Sequence, residues 1–187
     1  MTTPPTVDEL MDRYARGDTA AFAPLHREIA PRLFGFLLRL SGNRTVADEL
    51  TQETFARIHR ARGSFAEGAA ALPWAYTIAR NTFLDDRRKR MTGSGVVNDG
   101  DLAEAQPDVA GESPERKLEA KETMARVRAA LANMSVPQRE AFVLVRFEGL
   151  SLRDAAAILG TTEASVKARA FRAYEVLREV MQQGGEQ

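Results

Sequence analysis

The chain has 187 residues, 26 basic and 26 acidic, with 44% hydrophobic and 28% charged residues and no cysteine. Such a length suits one ordinary domain or two small ones, and the composition is globular. Disulfides and cysteine-ligated zinc are excluded, so packed cores must hold the fold, and zero net charge predicts weak, salt-sensitive binding to free duplex DNA. The start, MTTPPTVDEL, has neither a basic region nor an apolar run and does not read as a signal peptide. No window approaches the roughly 20 apolar residues of a membrane span. The expectation is a soluble, cytoplasmic protein without membrane insertion.

Helical patterns open the chain. Val7, Leu10, Met11 and Tyr14 form one stripe, Phe22, Leu25 and Ile29 a second, and Phe36, Leu37 and Leu40 a third. In NRTVADELTQETFARIHRARGSF, about 100° per residue turns Leu50, Thr54, Ile58 and Ala61 inward and Asp48, Glu49, Gln52, Glu53 and His59 outward. Phe55 falls on the boundary, core or interface. An acidic outer face is either simply solvated or a surface that docks on a basic partner.

The stretch ALPWAYTIARNTFLDDRRKRM places Trp74, Thr77, Ile78 and Asn81 on one side and Tyr76, Ala79 and Phe83 on another, and ends in Arg87, Arg88, Lys89 and Arg90. One apolar side suffices for a core. The surplus aromatics beside Arg80, Asn81 and the basic cluster supply rings for stacking, an amide for base edges and cations for phosphates, the ingredients of a single-strand surface. A thick buried helix whose basic last turn complements its dipole is the other reading.

From 92 to 114 the sequence TGSGVVNDGDLAEAQPDVAGESP is rich in Gly, Pro and Ser, with five acids and no Lys or Arg. It reads as an extended, flexible acidic linker. ERKLEAKETMARVRAALANM is a helix pattern, and SVPQREAFVLVRFEG predicts a further helix that begins in a capping box from Ser135 to Gln138 and stops at Gly149. Ser151 and Asp154 then predict the start of a short helix with the stripe Leu152, Ala155, Ala156 and Leu159, closed at Gly160. Thr162 can cap a last helix with Val166, Ala170, Ala173, Leu177 and Val180 inward, and Lys167, Ala168, Phe171 and Arg172 outward. This pair is either a helix-turn-helix built to enter a DNA groove or an ordinary helix pair with a solvated basic face. The expected fold is all-α: two small helical domains, 1–91 and 115–187, joined by the flexible linker 92–114, the second domain a helix-turn-helix.

VADELTQETFARIHR, PWAYTIARNTFLDDRRKR, an acidic linker and MSVPQREAFVLVRFEGLSLRDAAAILGTTEASVKARAFRA, in this order, resemble the sigma-70 family of bacterial RNA polymerase sigma factors, in particular its extracytoplasmic-function (ECF) group. The resemblance covers about Val7 to Met181. It implies a promoter-specificity subunit without enzymatic activity, catalytic residues, metal or cofactor, whose first domain recognises and melts the −10 element and whose second reads the −35 element. Partners implied are RNA polymerase core, promoter DNA and an anti-sigma factor. The DELTQETF match points to Asp48, Glu49, Gln52 and Glu53 as core-binding residues. The W-x-Y-x-x-A-x-N match places Trp74, Tyr76 and Asn81 in the −10 region, with Arg80, Arg87 and Arg88 as its cations and the 63–72 loop as a pocket wall for an extruded base. The TEASVKARAFR match gives Thr162, Ser165, Lys167, Ala168, Phe171 and Arg172 as the −35 side. Ala168 stands where many relatives have a small polar residue, and Ala170 where a larger apolar one is common.

Two other classes weigh less. A stand-alone helix-turn-helix repressor usually needs a dimerisation element to read two half-sites. An enzyme finds little support, because the two histidines, His26 and His59, lack metal-ligand spacing, and Asp85 and Asp86 lie against four basic residues, where ion pairing is the simpler account.

Overall fold

The computed structural model describes residues 4–92 and 114–182, with side chains of the second segment from 123 onward. The expected linker, 92–114, therefore lies outside the described residues apart from its two end positions. Among the described residues the regular structure is helical: α1 (Val7–Ala15), α2 (Phe22–Ser41), α3 (Arg44–Ala61), α4 (Ala71–Thr92), α5 (Pro114–Asn133), α6 (Val136–Phe142), α7 (Leu152–Leu159) and α8 (Glu163–Gln182).

Local chemistry sets most boundaries. α1 starts in a capping box, in which Thr6 Oγ1 accepts from the Glu9 amide at 3.2 Å and Glu9 Oε2 accepts from the Thr6 amide at 2.7 Å. α2 closes on Gly42 in the left-handed region (φ 70°), and Asn43 then caps α3 by accepting from the Val46 amide at 3.0 Å. The buried faces of α1 to α4, among them Met11, Leu25, Ile29, Leu33, Phe36, Leu37, Leu40, Ile58 and Tyr76, form one core.

The capping box expected at Ser135 does not form. The Gln138 amide donates to the Ser135 carbonyl at 3.0 Å, so the serine hydroxyl turns instead to the Gln138 side chain at 2.7 Å. Nor does one helix run to Gly149. α6 ends at Phe142, and Val143–Phe147 form a wider π turn in which the Glu148 amide donates to the Val143 carbonyl at 3.0 Å.

The two halves do not stand apart. Ala141, Val143, Leu144, Ala155, Ala156, Ile158, Leu159 and Val166 belong to the same apolar cluster as the core of α1 to α4. A smaller cluster of Ala130, Leu131, Met134, Phe142, Ala173 and Leu177 holds α5, α6 and α8 together.

Candidate polymerase and nucleic-acid interfaces

On α3 the apolar stripe is Ala47, Leu50, Thr54, Phe55 and Ile58, and Thr54 satisfies its buried hydroxyl by donating to the Leu50 carbonyl at 2.7 Å. Asp48, Glu49 and Gln52 face solvent. Glu53 is half-exposed but already engaged, accepting from Arg57 at 2.9 Å and Arg60 at 3.0 Å. The hydrogen bond from Arg57, ahead of the charge of Arg60, holds its carboxyl below the usual range. Arg57 also donates to Asp85 at 2.7 Å and so ties α3 to α4. Phe55 is buried, its ring 4.3 Å from that of His26 and edge-on to Phe22 at 6.2 Å. His59, the other histidine, faces solvent on the same side, its Nδ1 2.5 Å from the Tyr14 hydroxyl.

α4 presents its two sides differently. Trp74 is half-buried, edge-on to Phe65 at 5.2 Å, Asn81 faces solvent, and the last turn exposes Arg87, Arg88, Lys89 and Arg90. Asp85 and Asp86 pair with Arg88 and Arg90, each at 2.7 Å. The 63–72 loop is pinned by α1: the Asp12 carboxylate accepts from the Gly68 amide at 3.2 Å and that of Asp8 from the Ala71 amide at 2.8 Å.

Tyr76 is not a surplus aromatic. Its ring is fully buried, edge-on to Phe36 at 5.2 Å, because α7 packs on that side of α4 and Glu148 reaches its hydroxyl. In this arrangement Tyr76 is a core ring and presents no face to solvent. Burial, then the hydrogen bond to Glu148, raises its phenol above the ordinary value. Arg80 is also turned inward, its Nε donating to Glu140 Oε1 at 2.9 Å.

These contacts belong to two buried carboxylates from the second half. The Glu140 side chain is 2% exposed and that of Glu148 6%. Glu148 accepts from the Tyr76 hydroxyl and, at 3.5 Å, from Arg39, while its carbonyl accepts from Arg32 at 3.1 Å. Burial pushes the Glu140 carboxyl above its ordinary range, outweighing the attraction of Arg80. Arg139 adds a bond across the contact, donating to the Leu40 carbonyl at 2.6 Å.

The helix-turn-helix is built as its sequence predicts. Ser151 Oγ accepts from the Asp154 amide at 3.0 Å, Gly160 adopts φ 61°, and Thr162 Oγ1 accepts from the Ser165 amide at 3.2 Å. Val166, Ala173 and Leu177 are buried, and Ala170 and Val180 half-buried. Thr162, Lys167, Ala168, Phe171 and Arg172 face solvent, and Ser165 is half-buried. Arg172 Nε reaches back to the Ala168 carbonyl at 3.3 Å.

Sequence reasoning missed Glu140, Glu148, Arg32 and Arg39. Each is a charged residue within a helical pattern, and only the distant half of the chain, 60 positions away for Arg80 and Glu140 and 116 for Arg32 and Glu148, reveals Glu140 and Glu148 as buried and the two arginines as their partners. Asp8 and Asp12 were missed because their partners, the Ala71 and Gly68 amides, lie more than 50 positions further along the same half. Among the described residues no helix is long and apolar enough to cross a membrane.

Residues 25–92 match the family model for Sigma-70 region 2, and residues 124–177 that for Sigma-70, region 4. The chain is 34% identical over 174 residues to RNA polymerase sigma factor CarQ of Myxococcus xanthus, covering 91% of this chain and 95% of the relative. It is 38% identical over 143 residues to ECF RNA polymerase sigma factor EcfG of Rhodopseudomonas palustris, covering 76% and 75%. Its fold is similar to that of the sigma factor RpoE, solved with the anti-sigma factor NepR from Bartonella quintana, with a TM-score of 0.72 at 29% identity over 86% of this chain and 96% of that one. CnrH, solved with the cytosolic domain of CnrY, shares the fold with a TM-score of 0.71 at 22% identity, covering 95% and 99%.

Proposed function

The chain belongs to the ECF group of RNA polymerase sigma factors and is a promoter-recognising transcription initiation factor; on that premise we propose how its own residues divide the task. Asp48, Glu49, Gln52 and Glu53 on α3 dock on a basic surface of the polymerase core. Trp74, Asn81, Arg87 and Arg88 on α4 engage the −10 element, with the 63–72 loop walling a pocket for an extruded base, whose extrusion costs a few kcal/mol and so favours a preformed site. Arg80 joins them only when α6 lifts away, and Tyr76 supports α4 from within. On α8, Lys167, Ala168, Phe171 and Arg172 enter the major groove at the −35 element, positioned by the Thr162 cap and Ser165. The domains are 1–91 and 115–187, with 92–114 as the connecting linker.

The observation that carries this reading is the segregation of exposed charge on a chain of zero net charge. On α3 the exposed acids Asp48 and Glu49 lie between the exposed Arg44 and Arg60, whereas exposed cations gather on the last turn of α4 and at Lys167 and Arg172 on α8, whose exposed acids, Glu163 and Glu179, lie nearer its ends. Core polymerase would supply most of the DNA affinity and this subunit the selectivity. An anti-sigma factor as further partner is supported by the solved relative RpoE, captured with the anti-sigma factor NepR. Run-off transcription with reconstituted core, against core alone, tests the reading. Promoter-specific transcripts are expected only with both components; their absence from any genomic template library overturns it.

A further inference from the structure

Phe171 stands 61% exposed on the outer face of α8, an unusual place for a ring on a helix whose apolar stripe is already buried elsewhere. It is flanked by the exposed cations Lys167 and Arg172, and one turn earlier by the exposed methyl of Ala168. The cations suit this face to a polyanion, yet the two apolar groups between them can accept no hydrogen bond from a base edge and donate none. Among the groups that base pairs present in the major groove, the one apolar group is the C5 methyl of thymine. Phe171 lies eight residues beyond Glu163, the first of α8, about 12 Å along the axis, comparable with the roughly 12 Å width of that groove.

Resting on the reading of α8 as the −35 helix, we propose that Ala168 and Phe171 select thymine in the −35 element by packing on its methyl group. The two side chains are separated by three residues, about 4.5 Å of helix rise, against about 3.4 Å per base step, so they face base pairs one or two steps apart. Alanine in place of a polar residue at 168 has a physical sense here. A hydroxyl would hold water against the methyl, whereas the Ala168 methyl leaves the site dry.

The test uses holoenzyme reconstituted from core polymerase and the full chain, on a promoter selected by that holoenzyme. Each −35 thymine, on either strand, is replaced in turn by deoxyuridine, which removes the methyl and leaves the pairing face intact. Loss of one buried methyl corresponds to a fall in affinity of about three- to fivefold. That fall is expected at one or two positions and not at the others. Phe171→Ala, at an exposed site where a fold defect is not expected, should lower affinity for the thymine duplex by a similar factor and become indifferent to the exchange at one of the sensitive positions, the one the ring faces, while keeping any sensitivity at the pair that Ala168 faces. Its melting temperature serves as the control.

Equal affinity for all single-deoxyuridine duplexes, or a selected −35 element without thymine at adjacent or next-adjacent pairs, overturns the proposal while leaving −35 reading by α8 intact. Weakened association of Phe171→Ala with core polymerase in the absence of DNA also overturns it, and makes the ring a protein-docking group. Failure of the holoenzyme to select any promoter overturns the underlying reading with it.

Discussion

On α8, Lys167, Ala168, Phe171 and Arg172 all face solvent, whereas on α4 Tyr76 is fully buried and Arg80 is engaged by Glu140. The second half of the chain thus presents its own candidate DNA face and covers part of the first half's. It does so with two carboxylates, the groups that most resemble a phosphate to an arginine or a hydroxyl donor. In this arrangement the proposed −35 helix needs no rearrangement to meet a groove, while full use of Arg80 requires α6 to move. The largest predicted effects therefore lie at the covered face and the smallest at the open ones.

Arg80→Ala would leave Glu140, 2% exposed, as an uncompensated buried charge, with an expected cost of about 3–5 kcal/mol. Arg80→Ala combined with Glu140→Gln should recover most of it, and urea unfolding of the four members of that cycle measures the coupling. A loss below about 0.5 kcal/mol in the single variant would mean that the two halves do not pack this way in solution. The same pair has a pH signature. Because burial raises the Glu140 carboxyl in the folded state, its contribution is fully present below the ordinary value of about 4.3 and is lost as pH rises through the folded value. Glu53, Asp85 and Asp18 are held low, chiefly by hydrogen bonds from arginines, and act oppositely, losing their contribution as pH falls through their folded values. The melting temperature of wild type relative to Glu140→Gln should consequently rise as pH is lowered toward about 4.3.

What the sequence made legible follows the range of the interactions. Ser151, Gly160 and Thr162 act within a few residues of their partners, and the helix-turn-helix they bound forms as read. The faces of α3 were legible because a single period of 3.6 decides them, and only Phe55, on the boundary, needed the packing of Phe22 and His26 to place it. α4 resisted because it has apolar groups on two sides, and periodicity cannot say that the second is covered by a segment from the far end of the chain. Tyr76, Glu140 and Glu148 are intelligible only together. Ser135 shows the local limit: the residue types of a capping box were present, but a tight turn at Pro137 used the amide first.

Tyr76→Phe sharpens the comparison at intermediate size. It keeps the ring against Phe36 and removes the hydroxyl that donates to Glu148, leaving that buried carboxylate with Arg39 at 3.5 Å. The expected loss is about 1–3 kcal/mol, read by thermal melting. On the open side, Thr162→Ala removes one cap from α8, for about 1 kcal/mol. If the ranking of these two were inverted, the contact between halves would contribute less than a single helix cap, and the covered face would be covered only loosely.

The smallest expected effect on stability carries the most functional information. Asn81 faces solvent on α4, on the side that α6 and α7 leave free, so Asn81→Ala should change stability by no more than about 0.5 kcal/mol. Its proposed role, pairing with an unpaired base at the −10 element, matters only once the strands separate. Closed-complex formation by the holoenzyme should therefore survive the substitution, while opening or −10 preference declines. Arg172→Ala, on the open −35 helix, should show the reverse, with weakened binding to duplex and normal opening of whatever is bound. Permanganate reactivity of −10 thymines, on a linear promoter and on a pre-melted bubble, distinguishes the two defects. Should Asn81→Ala open the linear promoter as well as wild type with unchanged −10 preference, the exposed side of α4 does not read the melted strand. Should Arg172→Ala fail as severely on the bubble as on a duplex that depends on −35 contact, α8 is doing more than gripping the upstream element, and the separation of the two faces fails.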